Sequence, residues 1–78
     1  MTTGELLGIC RELKGATLKD VAAGLGLSIS YLSDIEHDRV KGLPLRTAIL
    51  LCRYYGITVE RLAATVALEA EPEEDAQD

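Results

Sequence analysis

The stretch from Thr17 to Glu36, TLKDVAAGLGLSISYLSDIE, constrains the fold of this chain more than any other. It reads as two short helices joined by a tight turn. Thr17 is a good N-cap, and Asp20 three residues later completes a capping-box-like pair. Leu18, Val21, Ala22 and Leu25 then recur at helical spacing. Gly24 and Gly26 stop that helix, because glycine tolerates the positive φ of a C-cap. Ser28 caps the next helix, in which Leu32 and Ile35 point inward one turn apart. Ile29, Ser30, Ser33 and Asp34 share much of its outer face.

The remaining sequence supports an all-helical chain. A first helix is expected from about Gly4 to Lys14, with Thr2 and Glu5 at capping-box spacing and Gly15 as its stop. Leu6, Ile9, Cys10 and Leu13 are expected to line its inner face. A fourth helix is expected from about Leu45 to Tyr55, with Pro44 near its start. Its predicted inner stripe is Leu45, Ala48, Ile49 and Cys52, which leaves Leu50, Leu51 and Tyr54 partly outside. A fifth helix, from about Val59 to Leu68, would turn Leu62, Ala63 and Val66 inward. His37 to Leu43 is the one substantial loop. No strand-like alternation or internal repeat occurs.

These residues resemble the helix-turn-helix of the Cro/phage-repressor (XRE) family of DNA-binding regulators. The match rests on Thr17 as cap, Val21-Ala22, Gly26 and Leu27, then Leu32, Ile35 and Glu36. It continues through PLRTAILLCRYYGITVERLAA, similar to the family's fourth and fifth helices, with Gly56 as stop and Thr58 as cap. It spans roughly residues 4 to 66. The resemblance implies an all-α, five-helix, lambda-repressor-like domain with helices two and three as the motif. Ala22 would be small because the two helices cross there. The second motif helix would enter a major groove about 12 Å wide.

Charge and length fit one small DNA-binding domain with a tail. The 78 residues allow one core, and 47% of them are hydrophobic. The net charge of -5 looks unsuited to nucleic acid. Yet the last ten residues, EAEPEEDAQD, hold six acids and no base, leaving seven acids and eight bases over residues 1 to 68. We therefore expect a near-neutral domain at 1–68 and an acidic, disordered tail at 69–78. No run approaches the ~20 apolar residues of a membrane span, and MTTGELLG lacks the features of a signal peptide. A cytoplasmic location follows as an expectation.

The resemblance assigns base reading to Ile29, Ser30, Ser33 and Asp34. Serine exchanges single hydrogen bonds, Asp34 can accept from a cytosine amino group, and Ile29 can touch a thymine methyl. Thr17, Lys19, Ser28, Tyr31, Arg39, Lys41 and Arg46 are candidates for backbone phosphates. Tyr31 has an alternative role packing against the first helix. Two departures from the family matter. Leu18 stands where relatives often carry a phosphate-clamping glutamine, and the outer face has no Arg, Lys, Asn or Gln. Sequence preference then rests partly on DNA shape. Leu50, Leu51, Tyr54 and Val66 supply a candidate surface for a homodimer, which would place two reading helices about 34 Å apart.

Other chemistries find little purchase. Cys10 and Cys52 lie on apolar faces and read as buried thiols. His37 is the single histidine, so no metal site and no nucleophile–base–acid set can be assembled around it. The glycines of GLG follow no strand and make no phosphate loop. The chain is thus expected to be no enzyme and to need no cofactor. Its expected partners are double-stranded DNA and a second copy, with a protein partner as a further candidate and no membrane. The expected function is a sequence-specific regulator, foremost a repressor at a near-palindromic operator. No sensor domain is expected after helix five. An acidic patch at Asp34, Glu36 and Asp38 would allow activation through polymerase. The rival reading is a protein-interaction module, an antitoxin or regulator partner, that uses the same fold without touching DNA.

Overall fold

The computed structural model describes residues 1–69, with the side chains of 67–69 left aside. Five helices follow one another: α1 (Thr3–Lys14), α2 (Leu18–Leu25), α3 (Ile29–Glu36), α4 (Leu45–Tyr55) and α5 (Val59–Glu69). No strand occurs among the described residues. The tail expected from residue 69 lies, from residue 70 onward, outside them.

Local chemistry sets the helix starts. Thr2 accepts from the Glu5 amide at 3.1 Å, and Glu5 accepts from the Thr2 amide at 2.9 Å. Thr17 and Asp20 repeat this reciprocal pair, both bonds at 3.0 Å. Ser28 Oγ takes the Tyr31 amide, and Thr58 Oγ1 takes the Arg61 amide. Each bond satisfies a donor that the helix itself leaves orphaned. At the other ends α1, α2 and α4 close on Gly15, Gly26 and Gly56, all in the left-handed region. At Gly26, with φ 70°, this reversal lets α3 fold back across α2.

The core gathers Leu6 and Leu7 of α1, Val21 and Ala22 of α2, Leu32 and Ile35 of α3, Ala48, Leu51 and Cys52 of α4, and Leu62 of α5. α1 packs against α3, α4 and α5, while α2 packs against α3 and α4. The motif helices thus rest on a three-helix platform.

The rotation of three helices differs from the sequence expectation. On α4, Thr47, Ala48, Leu51 and Cys52 are buried, and Leu45 is 68% exposed. Leu51, expected at a dimer surface, is fully buried in its own core because α1, α2 and α5 all pack on α4. On α1, Leu7 turns inward while Ile9 and Leu13 face outward, Leu13 at 83% exposure. On α5, Ala63 and Val66 are exposed and Thr65 is buried instead. Thr65 fits there because its Oγ1 donates to the Leu62 carbonyl at 2.6 Å and meets Thr3 Oγ1 at 2.7 Å.

Close approach at Gly4 sets the height of α1 on α3. A Cβ on Gly4 would lie 2.5 Å from the Glu36 carbonyl oxygen and 2.6 Å from that of Ile35. Only glycine lets the backbones approach that closely. Nearby, Arg11 and Glu36 form a two-pronged ion pair whose side chains are only 18% and 8% exposed.

Candidate nucleic-acid interface

The outer face of α3 is presented as its spacing requires. Leu32 and Ile35 are buried in one core with Val21 and Ala22 of α2. That leaves Ile29 48% exposed, Ser30 exposed, and Ser33 and Asp34 half-exposed. All four share one side of a helix fixed by its partner, by the Arg11–Glu36 pair and by the Ser28 cap. Ser28 is exposed, but its Oγ is committed to the Tyr31 amide. Tyr31 is half-buried with its ring packed on the core, which favours its packing role over a phosphate contact.

The candidate basic residues lie on the segments before and after α3. Lys19 is exposed in the first turn of α2, Lys41 in the loop after α3, and Arg46 in the first turn of α4. None of these three has an ion-pair partner among the described residues. Thr17 is exposed, with its hydroxyl engaged as the α2 cap. Its amide and hydroxyl hold the Asp20 carboxyl below the usual carboxylate range. Arg39 is the exception among the bases: its Nη1 lies 3.3 Å from Asp34 Oδ1, both side chains being well exposed. That pair links one candidate base reader to one candidate phosphate ligand. It also offsets the repulsion Asp34 would otherwise exert on DNA.

The acidic patch expected at Asp34, Glu36 and Asp38 does not form as a free surface. Glu36 is tied to Arg11. Asp38, at φ 59°, accepts from the Gly4 amide at 2.9 Å and from the Thr2 hydroxyl at 2.6 Å. Its carboxylate therefore caps the start of α1 and anchors the loop that carries Arg39 and Lys41. Sequence reasoning missed this role because the partners lie 34 and 36 residues away. It also passed over His37, which follows α3 directly and places Nδ1 2.8 Å from the Ser33 carbonyl oxygen.

The residues expected at a dimer surface fare differently. Leu50 is half-buried. Tyr54 is half-buried over Gly24, with the Lys14 ammonium 5.3 Å from its ring centre. Val66 is 56% exposed and borders an apolar cleft of ≈ 730 Å³ with Val40, Leu43, Leu45, Val59 and Ala63. Cys10 and Cys52 are free thiols, pushed up in pKa by burial. Among the described residues no three His, Cys, Asp or Glu side chains converge as metal ligands would. No helix there is long and apolar enough to cross a membrane.

Five helices with a capped, outward-facing α3 held across α2 define a helix-turn-helix protein. A family profile described as helix-turn-helix matches residues 7–62, and the chain belongs to that XRE-type family of transcriptional regulators. Among curated proteins it is similar to the HTH-type transcriptional regulator DdrOP3 of Deinococcus deserti, with 41% identity over 58 residues. That match covers 74% of this chain but 44% of the relative, so the chain spans less than half the relative's length. Among solved structures, the biofilm master regulator SinR in complex with DNA superposes with a TM-score of 0.74 at 24% identity, over 80% of this chain and 98% of that one. The SinR–SinI complex superposes with a TM-score of 0.77 at 22% identity, over 95% and 72%. At such identities the likeness establishes the fold.

Proposed function

We propose that this chain is a sequence-specific DNA-binding transcriptional regulator that acts as a homodimer, foremost as a repressor. The observation that carries this reading is the face of α3. Ile29, Ser30, Ser33 and Asp34 project from a braced helix, Arg39 pairs with Asp34 on it, and Lys19, Lys41 and Arg46 are exposed on the segments before and after it. The four α3 residues contact base edges in the major groove. The bases, with Thr17, Ser28 and Tyr31 as lesser contributors, position the domain on backbone phosphates. Small side chains read weakly, so DNA shape supplies part of the preference. The likeness to the transcriptional regulator DdrOP3 and to SinR in its complex with DNA supports this assignment.

The second copy docks through the apolar cleft bordered by Val66; Leu50 and Tyr54 lie outside its lining, and Leu51 is left in the core. Two α3 helices then enter successive major grooves about 34 Å apart. Repression follows from occupying DNA that polymerase needs, and the protein works in the cytoplasm. Anisotropy titration of labelled duplex tests the reading. Affinity that falls steeply with salt supports it; absence of binding by folded protein at low salt removes it.

One observation favours a second reading, a protein-interaction module. The same apolar cleft suits a partner's helix as well as a second copy. One of the matched SinR structures is a complex with a protein, SinI. Under that reading the folded chain captures a protein and leaves duplex DNA unbound.

A further inference from the structure

The acids and bases of this chain are unevenly divided. Residues 69–78 hold six acids and no base, while residues 1–68 hold seven acids and eight bases. Most of those seven acids are spoken for inside the fold. Glu36 is taken by Arg11 and Asp34 by Arg39. Asp38 accepts from Thr2 and Gly4, and Glu5 and Asp20 close the caps of α1 and α2. Glu12 is on α1 next to Arg11, and Glu60 is exposed in the first turn of α5. Lys41 and Arg46 are exposed and have no ion-pair partner among the described residues.

α5 delivers the acidic segment to these two bases. Lys41, from the loop after α3, and Val66, from α5, line the same apolar cleft of ≈ 730 Å³. No other base lines it. Leu45, the first residue of α4, lines it too, and Arg46 is its neighbour in the chain. α5 ends at Glu69, three residues past Val66. Backbone reaches at most about 3.3 Å per residue, so Glu71, Glu73, Glu74 and Asp75 all fall within about 20 Å of that end. That is enough to cross the cleft.

We propose that residues 71–75 lie along the Lys41–Arg46 rim of this cleft and compete there with DNA phosphates. This rests on the DNA-binding reading above, which gives those two bases to phosphates, and adds an internal competitor to it. Carboxylate and phosphate oxygens present the same kind of anionic acceptor to an ammonium or a guanidinium. One exposed ion pair is weak. A short tether, however, holds the acids at an effective concentration of about millimolar. The acids take the rim and leave the apolar walls to the second copy. Duplex that offers phosphates alone is then bound poorly, and the bases are surrendered to a site that α3 also reads.

The experiment compares the full chain with a full-length variant carrying Glu71→Gln, Glu73→Gln, Glu74→Gln and Asp75→Asn, both checked for helicity by circular dichroism. Amide NMR spectra at about 50 mM salt should differ at Lys41 to Leu43 and at Leu45 to Thr47, and the difference should fade as added salt screens the contact. Anisotropy with a labelled mixed-sequence duplex at the same salt should show the variant binding about three- to tenfold tighter. That advantage should shrink by about 200 mM. Shifts absent from these two segments, or spread evenly over the domain, overturn the contact. Shifts that grow with protein concentration place it between copies and overturn the internal dock. Local shifts with equal duplex affinity overturn the competition while leaving DNA binding in place. No duplex binding by either folded protein overturns the DNA-binding reading and the competition together, and the spectra then decide the contact alone.

Discussion

Arg11 and Glu36 stand 25 residues apart and close a two-pronged ion pair, Nε to Oε2 at 2.8 Å and Nη2 to Oε1 at 3.1 Å. The remaining guanidinium nitrogen, Nη1, donates to the Ala16 carbonyl. One side chain thus ties α1 to the end of the reading helix and to the turn before α2. Removing Arg11 as Arg11→Met strands a carboxylate that is almost wholly buried. We expect destabilisation by about 3 kcal/mol, read by urea unfolding, with much of it recovered in the Arg11→Met, Glu36→Met double variant. An unchanged midpoint in the single variant would refute the bracing role.

Gly4 and Gly8 should respond in opposite directions to alanine. A Cβ at Gly4 meets two backbone carbonyl oxygens below 3.0 Å, which cannot yield without moving α1 off α3. Gly4→Ala should destabilise by about 1–3 kcal/mol. A Cβ at Gly8 meets only the Glu36 side chain, at 3.5 Å. There the gain in helix propensity, up to about 1 kcal/mol, should dominate. Thermal melts of the two variants separate these outcomes. Equal destabilisation would place the close approach elsewhere.

Tyr55 has a buried hydroxyl with no hydrogen-bond partner among the described residues, and burial pushes its pKa up to about 12 from an ordinary 10.0. The folded state therefore holds this proton more tightly than the unfolded chain. Its contribution is complete below pH 10.0 and is lost as the pH climbs toward about 12. Tyr55→Phe should match or exceed wild-type stability at neutral pH, since it deletes an unsatisfied group. It should also lose less stability in that alkaline window. Denaturation of both proteins across the window checks this, and a variant clearly weaker at neutral pH would mean the hydroxyl is satisfied.

The dimer has its own test. Val66→Glu puts a charge at the edge of the apolar cleft without disturbing the core, since Val66 is already exposed. Sedimentation at micromolar concentration should show a wild-type dimer and a monomeric variant. A variant that sediments as the wild type does would move the interface away from this cleft.

What the sequence disclosed was local. The pairs Thr2–Glu5 and Thr17–Asp20, the Ser28 and Thr58 caps and the stops at Gly15, Gly26 and Gly56 act over three or four residues. They set the helix ends nearly where the structure has them. The outer face of α3 was legible for a similar reason: Leu32 and Ile35, one turn apart, are the apolar pair that fixes its inner side. The rotations of α1, α4 and α5 were not. Leu6, Leu7, Ile9 and Leu13, like Leu45, Leu50 and Leu51, are apolar around much of the helix, so periodicity does not choose which side is buried. Only packing partners decide that. The roles of Glu36 and Asp38 depend on residues far away in the chain. The Asp34–Arg39 pair and the approach of His37 to Ser33 are short-range, but both depend on how the chain leaves α3.

The most direct test of the account is selection from a random duplex pool by the full chain, run beside the Ser30→Ala, Ser33→Ala variant. The account predicts a two-fold symmetric motif with half-sites about one helical turn apart. It also predicts that the variant binds this motif more weakly, by about 1–3 kcal/mol for each serine that hydrogen-bonds a base. Recovery of no motif above background by folded wild-type protein, or a motif bound equally well by the variant, would contradict the claim that α3 reads DNA.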